Sequence, residues 1–278
     1  MTTSPTLRFH DGNAIPQLGF GVFKVSNEDA AAAVQHALEA GYRHIDTATI
    51  YGNEEGVRRG IDAAGVDPKD IFITTKLWND DQGYDSTLRA FDASMQRLGL
   101  DTLDLYLIHW PCPPKNGLFH DTWRAFTELQ MQGRIRSIGV SNFRVGDLDE
   151  LMAKSESKPV LNQIELHPYF TQQELRAKGA RHDILTQAWG PLGQGRGLLD
   201  DPVLAEIARS HDATPGQVVL AWHRQIGNVV IPKSVTPSRI VENFQSLELE
   251  LTQDELTRIS GLDKGAEGRG GGDPDTVG

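Results

Sequence analysis

The sequence predicts a (β/α)8 barrel of parallel strands, and three observations carry that expectation. Short apolar runs alternate with longer segments of helical period almost to the end of the 278 residues, which is the rhythm of βα units. Seven predicted strands end on a residue able to do chemistry: Asp46, Lys76, His109, Ser141 with Asn142, Gln163, Trp189, and Lys233 with Ser234. In a parallel barrel the C-terminal strand ends open on one face, so these residues converge on one pocket. Neither G-x-G-x-x-G after a first strand nor G-x-x-x-x-G-K-S/T occurs, so nothing supports an open dinucleotide-binding sheet or a P-loop instead.

The Asp11-Gly12 turn between two short extended stretches predicts a β-hairpin capping the barrel floor. A strand at "LGFGVF" then opens the barrel. The first helix runs from Asn27 to Ala40, with Ser26 and Asp29 as a capping box, Gly41 as its stop, and Ala30, Val34, Ala37 and Leu38 as the buried stripe. Strand "RHIDTA", a helix from about Glu54 to Ala63 and strand "IFITTK" follow. A helix with Leu88, Phe91, Met95 and Leu98 on one face leads to strand "LDLYLIH". The pattern repeats with a helix near Thr122 to Gln132, strand "RSIGVS", a helix near Val145 to Ala153 and strand "LNQIEL". A helix capped by Thr171 and Glu174, strand "ILTQAW", helices at Pro202 to Ser210 and Pro215 to Gln225, and strand "NVVIPK" complete the eight. Helices near Ser238 to Phe244 and after Thr252, the latter an extra C-terminal helix, close a single domain spanning residues 1–278. The glycine-rich stretch from Gly265 to Gly278 reads as a flexible tail.

Composition narrows the partners. A net charge of −11 argues against nucleic acid and anionic membrane, which both need a cationic footprint. Met1 to His10 shows no basic region followed by an apolar stretch, and no run approaches the roughly 18 apolar residues of a membrane span, so a cytoplasmic monomer is expected. Cys112 is the single cysteine, which leaves no intramolecular disulfide and no cysteine-based zinc site, and no metal is expected.

Asp46, Tyr51, Lys76 and His109 form a chemically sensible set for carbonyl reduction. A phenol is a poor acid at neutral pH, and the Lys76 ammonium would stabilise its anion. Asp46 would fix the lysine and keep it charged, and His109 would donate a hydrogen bond to the carbonyl oxygen. Lys76 alone could also serve as the Schiff-base amine of a lyase, which the neighbouring Asp46 argues against.

The segments "GYRHIDTATIYGNEEGVRRGI", "IFITTKLW", "LDLYLIHWP", "IRSIGVSNF", "NQIELHPY" and "IPKSVTPSRIVEN" resemble, in order, the signature segments of the aldo-keto reductases, from about Gly19 to Leu262. "GNEEGV", "TTKLWND" and "WGPLGQG" are most similar to the bacterial branch that includes 2,5-diketo-D-gluconate reductases. The resemblance implies a barrel that binds NADPH without a glycine fingerprint and reduces aldehydes and ketones, among them small dicarbonyls and keto-sugar acids. It implies Tyr51 as proton donor, with Lys76, Asp46 and His109 completing a tetrad. Ser141, Asn142 and Gln163 would hold the nicotinamide carboxamide and Trp189 would stack on its ring. Gly190, Leu192 and Gln194 would cover the pyrophosphate. Lys233, Ser234 and Arg239 would grip the 2′-phosphate, with Glu242 and Asn243 near the adenosine. Phe23, Trp78 and Trp110, with His109, would line the substrate pocket. The loop from about Pro111 to His120 and the tail are short beside those of the longer animal members, which implies an open pocket.

Overall fold

Two sheets organise the chain in a computed structural model that describes residues 3–113 and 117–277. Thr6–Arg8 (β1) and Ala14–Pro16 (β2) pair antiparallel across the Asp11-Gly12 turn. Eight parallel strands follow, each bonded to the next in chain order: Phe20–Gly21 (β3), His44–Asp46 (β4), Phe72–Leu77 (β5), Leu103–Ile108 (β6), Ile135–Ser141 (β7), Leu161–Glu165 (β8), Leu185–Trp189 (β9) and Val229–Val230 (β10). The ring closes between its last and first strands. Leu18 bridges Val230 in parallel, the Gly19 N–H donates to the Val230 carbonyl at 2.8 Å, and the Val230 N–H donates to the Gln17 carbonyl at 2.8 Å.

Helices Asn27–Ala40 (α1), Glu54–Ala64 (α2), Tyr84–Leu98 (α3), Phe119–Met131 (α4), Val145–Lys154 (α5), Gln173–Arg181 (α6), Pro202–Ser210 (α7), Pro215–Gln225 (α8), Pro237–Gln245 (α9) and Gln253–Ser260 (α10) surround the strands. Their ends follow local chemistry. Ser26 Oγ accepts the Asp29 N–H at 3.0 Å to open α1, and Gly41, at φ 115°, closes it by donating to the Ala37 and Leu38 carbonyls. Thr214 with Gln217 and Thr252 with Glu255 form reciprocal boxes at the starts of α8 and α10.

Side chains alternate along a strand, so each barrel strand turns one set inward and the other toward the helices. Ile45, Ile73, Tyr106, Ile108, Ile138, Ile164 and Ala188 pack under the helices in the larger core. Leu105, Leu107, Leu161 and Val229 fill the lower interior, and Phe9 and Ile15 of the hairpin seal it from below. Toward the C-terminal strand ends the inward set turns polar.

Three expectations need correction. Thr171 does not cap α6: its hydroxyl donates to Asp263 Oδ2 at 2.7 Å, and Gln172, at φ 46°, makes the turn into the helix. The first and last barrel strands are two residues each, and β10 stops short of Pro232, which has no N–H to extend a ladder. The glycine-rich tail is packed rather than loose. A 3-10 turn at Gly265–Gly268 leads to Gly270 and Gly271, whose N–H groups donate to Glu165 at 2.9 Å each. The short loop expected after His109 includes residues 114–116, and Gly278 ends the tail; these lie outside the described residues.

Candidate active site

Lys76 is fully buried near the end of β5. Its Nζ donates to Asp46 Oδ1, the last residue of β4, at 2.5 Å and to the Thr47 carbonyl at 2.8 Å. The same nitrogen lies 5.1 Å from the centre of the Tyr51 ring. Tyr51 reaches it from the 3-10 turn Thr49–Tyr51 that links β4 to α2. The His109 ring, just past β6, stands edge-on to Tyr51 with centroids 5.8 Å apart. Four residues spread over the first 109 positions thus meet at one mouth.

Burial decides their protonation. Removal from water raises the Asp46 carboxyl above its usual range, with the Lys76 ammonium and the Gln163 amide working against that shift. Burial also opposes the Lys76 ammonium, but Asp46 and Tyr51 outweigh it and hold the lysine pKa above its ordinary value. The Tyr51 phenol is raised by burial even though Lys76 pulls it down, so the phenol keeps its proton. The expectation that lysine lowers this group holds for the direction of its pull and not for the net shift. His109 is pushed well below the ordinary histidine value by burial first and by Lys76 second, which makes it a neutral ring.

The aromatic residues expected at the pocket gather around the same point. Phe23 lies 5.1 Å from Tyr51, Trp78 5.3 Å from His109 and Trp110 6.4 Å from His109, ring centre to ring centre. Phe23 is the most exposed of the set at 44% and faces the rim.

Ser141, Asn142, Gln163 and Trp189 form one hydrogen-bonded group beside the tetrad. Ser141 Oγ donates to the Gln163 carbonyl at 2.8 Å, Asn142 Nδ2 donates to the His109 carbonyl at 3.0 Å, and Trp189 Nε1 donates to Asn142 Oδ1 at 2.8 Å. Gln163 Nε2 donates to Asp46 Oδ2 at 2.7 Å and to Gln187 Oε1 at 2.8 Å. A carboxylate can only accept, so this fixes which way the Gln163 amide faces. Gly190, Leu192 and Gln194 follow Trp189 in a turn where Gly190 and Gln194 take φ 60° and 51°. Further round the mouth, Lys233 and Arg239 are exposed and Ser234 is buried. Glu242 accepts from Thr214 Oγ1 at 2.8 Å, and Asn243 is buried in α9.

A sequence profile described as the aldo/keto reductase family matches residues 17–264. An aldo-keto reductase of Mycolicibacterium smegmatis is 55% identical over 273 residues, covering 98% of both chains. The chain belongs to the aldo/keto reductase family. A methylglyoxal reductase, DkgA, of Salmonella typhimurium is 49% identical over 279 residues, covering 100% of both chains. Among solved structures, a Gox0644 mutant in complex with NADPH superposes with a TM-score of 0.95 at 46% identity, covering 100% of both chains.

For a member of this family, three polar residues at the mouth had escaped the sequence reading. Gln187 ties Gln163 in place from the neighbouring strand. Glu165 accepts from Arg196 at 3.0 Å as well as from Gly270 and Gly271. The signal was available for the first two, because Glu165 lies two residues beyond Gln163 and Gln187 two before Trp189, hence on the same inward faces. Arg196 carried no periodic signal in its glycine-rich loop.

Proposed function

We propose that this enzyme reduces the carbonyl group of small aldehydes, ketones and dicarbonyls with NADPH, and that Tyr51 delivers the proton to the oxygen. The observation that carries the reading is the buried Lys76–Asp46 pair beside the Tyr51 phenol, with the neutral His109 ring facing it. The residues fit the cofactor. Gln163 is held through its Nε2, which turns its Oε1 into an acceptor available to a carboxamide N–H. Lys233 and Arg239 ion-pair with no described carboxylate and flank the Ser234 hydroxyl, a suitable set for a phosphate dianion. The NADPH complex of Gox0644, which shares the fold at 46% identity, supports the same choice.

NADPH when bound supplies the hydride, and the chain's own residues position groups and move the proton. Asp46 and the Thr47 carbonyl hold Lys76 as an ammonium, so it cannot act as an amine nucleophile. Its charge stabilises the negative charge that develops on the Tyr51 oxygen as the proton leaves. His109, kept neutral, donates a hydrogen bond to the carbonyl oxygen and orients it toward Tyr51. Phe23, Trp78 and Trp110 hold the remainder of the substrate.

The methylglyoxal reductase DkgA supports small dicarbonyls as the substrate class, with keto-sugar acids such as 2,5-diketo-D-gluconate as larger members. The tail narrows the opening expected from its short length, because Gly272 packs against Trp110. Loss of the reduced nicotinamide absorbance with methylglyoxal, glyoxal and 2,5-diketo-D-gluconate tests the reading. Oxidation of NADPH with at least one dicarbonyl is expected. Bound NADPH that no carbonyl oxidises would sink the proposal.

A further inference from the structure

Glu165 ends β8 opposite Trp189 in the strand register and is 2% exposed. Its carboxylate accepts from His167 Nε2 at 3.3 Å, from an Arg196 Nη at 3.0 Å, and from the Gly270 and Gly271 N–H groups at 2.9 Å each. Arg196 belongs to the segment after β9 that follows Gly190, Leu192 and Gln194. Gly270 and Gly271 belong to the C-terminal tail. Two segments distant in sequence therefore converge on one buried anion.

At Gly271 the packing is close enough to need glycine, whereas at Gly270 the neighbour is the movable end of an arginine side chain. A Cβ on Gly270 would fall 1.2 Å from Arg196 Nη1, and one on Gly271 would fall 2.2 Å from Cη2 of Trp189. The tail backbone thus rests against the indole, whose Nε1 is held on its other side by Asn142. Arg144 adds an ion pair to Asp275 further along the tail, and Arg269 lies over the Phe170 ring at 5.0 Å. A buried carboxylate that loses half of its donors is left poorly satisfied, so release of one segment destabilises the contact that remains.

We infer that Glu165 is a positioning residue that fastens the segment after β9 and the C-terminal tail to one carboxylate, sets Trp189 against the nicotinamide, and makes the two segments open together when cofactor exchanges. The inference rests on the reading that NADPH lies against Trp189. Glutamine at this position replaces one acceptor oxygen by an NH2 that faces N–H donors, while nearly preserving shape.

Three measurements on the full chain test it. Hydrogen exchange of the cofactor-free enzyme should show residues 190–200 and 266–277 both exchanging about ten-fold faster in Glu165→Gln, with the barrel strands unchanged. Stopped-flow tryptophan fluorescence should show NADPH leaving at least about ten-fold faster, the scale set by loss of a charge-assisted hydrogen bond. The pH profile of turnover should stay that of wild type, since the tetrad is untouched. Gly271→Ala keeps the carboxylate but displaces the tail from Trp189, so it too should speed NADPH release, and it carries the test if Glu165→Gln does not fold. Wild-type release rates in the folded variants, or faster exchange in only one segment of Glu165→Gln, would overturn the inference. A wild-type enzyme that binds no NADPH would instead defeat the cofactor reading and leave the exchange experiment to judge the fastening.

Discussion

His44 and His109 sit at opposite ends of the same barrel, and both are neutral because they are buried, yet the two ends treat them differently. At the floor, His44 Nδ1 lies 3.2 Å from the Pro16 carbonyl and Nε2 lies 3.4 Å from Thr74 Oγ1. Gly19 makes room for the ring, since a Cβ there would fall 2.3 Å from Nδ1. At the mouth, His109 Nδ1 is buried with no hydrogen-bond partner, and the ring sits among Tyr51, Trp78 and Trp110. One histidine has its bonding capacity used by the fold. The other keeps capacity unspent, along with Gln187 Nε2, at the end where strand termini converge. The contrast belongs to this pair of rings, because buried polar atoms without partners also occur away from the mouth, at Tyr106 Oη and Arg224 Nε.

Substitutions can break that contrast from either side. Tyr51→Phe removes one hydroxyl at the mouth and should lower carbonyl reduction by about 10² to 10⁴ fold. NADPH affinity and the midpoint of thermal unfolding should change little; turnover near the wild-type rate would mean that another group supplies the proton. Arg239→Ala comes next. Loss of a charge-assisted hydrogen bond should weaken NADPH by roughly 10 to 150 fold and leave NADH nearly unaffected, as read by quenching of tryptophan fluorescence. Equal weakening of both cofactors would move Arg239 away from the 2′-phosphate.

The smallest effect is one of acid stability. Burial lowers the pKa of His44 to about 3 and pushes His109 and His223 well below the ordinary histidine value. Below pH about 6.5 the unfolded chain binds protons that these folded rings refuse, so stability falls as pH falls, and for His44 the loss continues until pH about 3. Each ring contributes a slope of up to about 1.4 kcal/mol per pH unit. Urea titrations across pH 4.5 to 7.5 should show His44→Leu with a shallower slope and an unaltered kcat; a parallel slope would show that the floor histidine does not govern acid sensitivity.

The sequence exposed features written into short intervals. Helix α1 was readable from Ser26 to Gly41 because capping groups and the apolar stripe are local, and the boundaries of α7 and α8 were readable because each starts at a proline. The reading located Asp46, Lys76 and His109 at strand ends, and the structure brings them together. It lost what depends on long-range packing. Thr171 carries a capping signature, yet Asp263, far along the chain, claims its hydroxyl. The tail has the composition of a mobile segment, but Gly271 is what allows its backbone to approach Trp189. Low apolar content said nothing about a carboxylate waiting at the end of β8. The phenol shift was likewise hidden, because the sequence shows a charge beside Tyr51 but not how much water has been removed around it.

The seam between β3 and β10 sets a clock for synthesis. Leu18 pairs with Val230, about two hundred residues later, so a ribosome adding roughly 5–20 residues per second makes the first strand wait on the order of 10–40 s for its partner. Until then the nascent sheet carries an unpaired edge on each flank, and Gly19 and Gln17 offer backbone groups to any neighbouring chain. Slower synthesis or closer polysome spacing lengthens the interval in which those groups can pair with another chain.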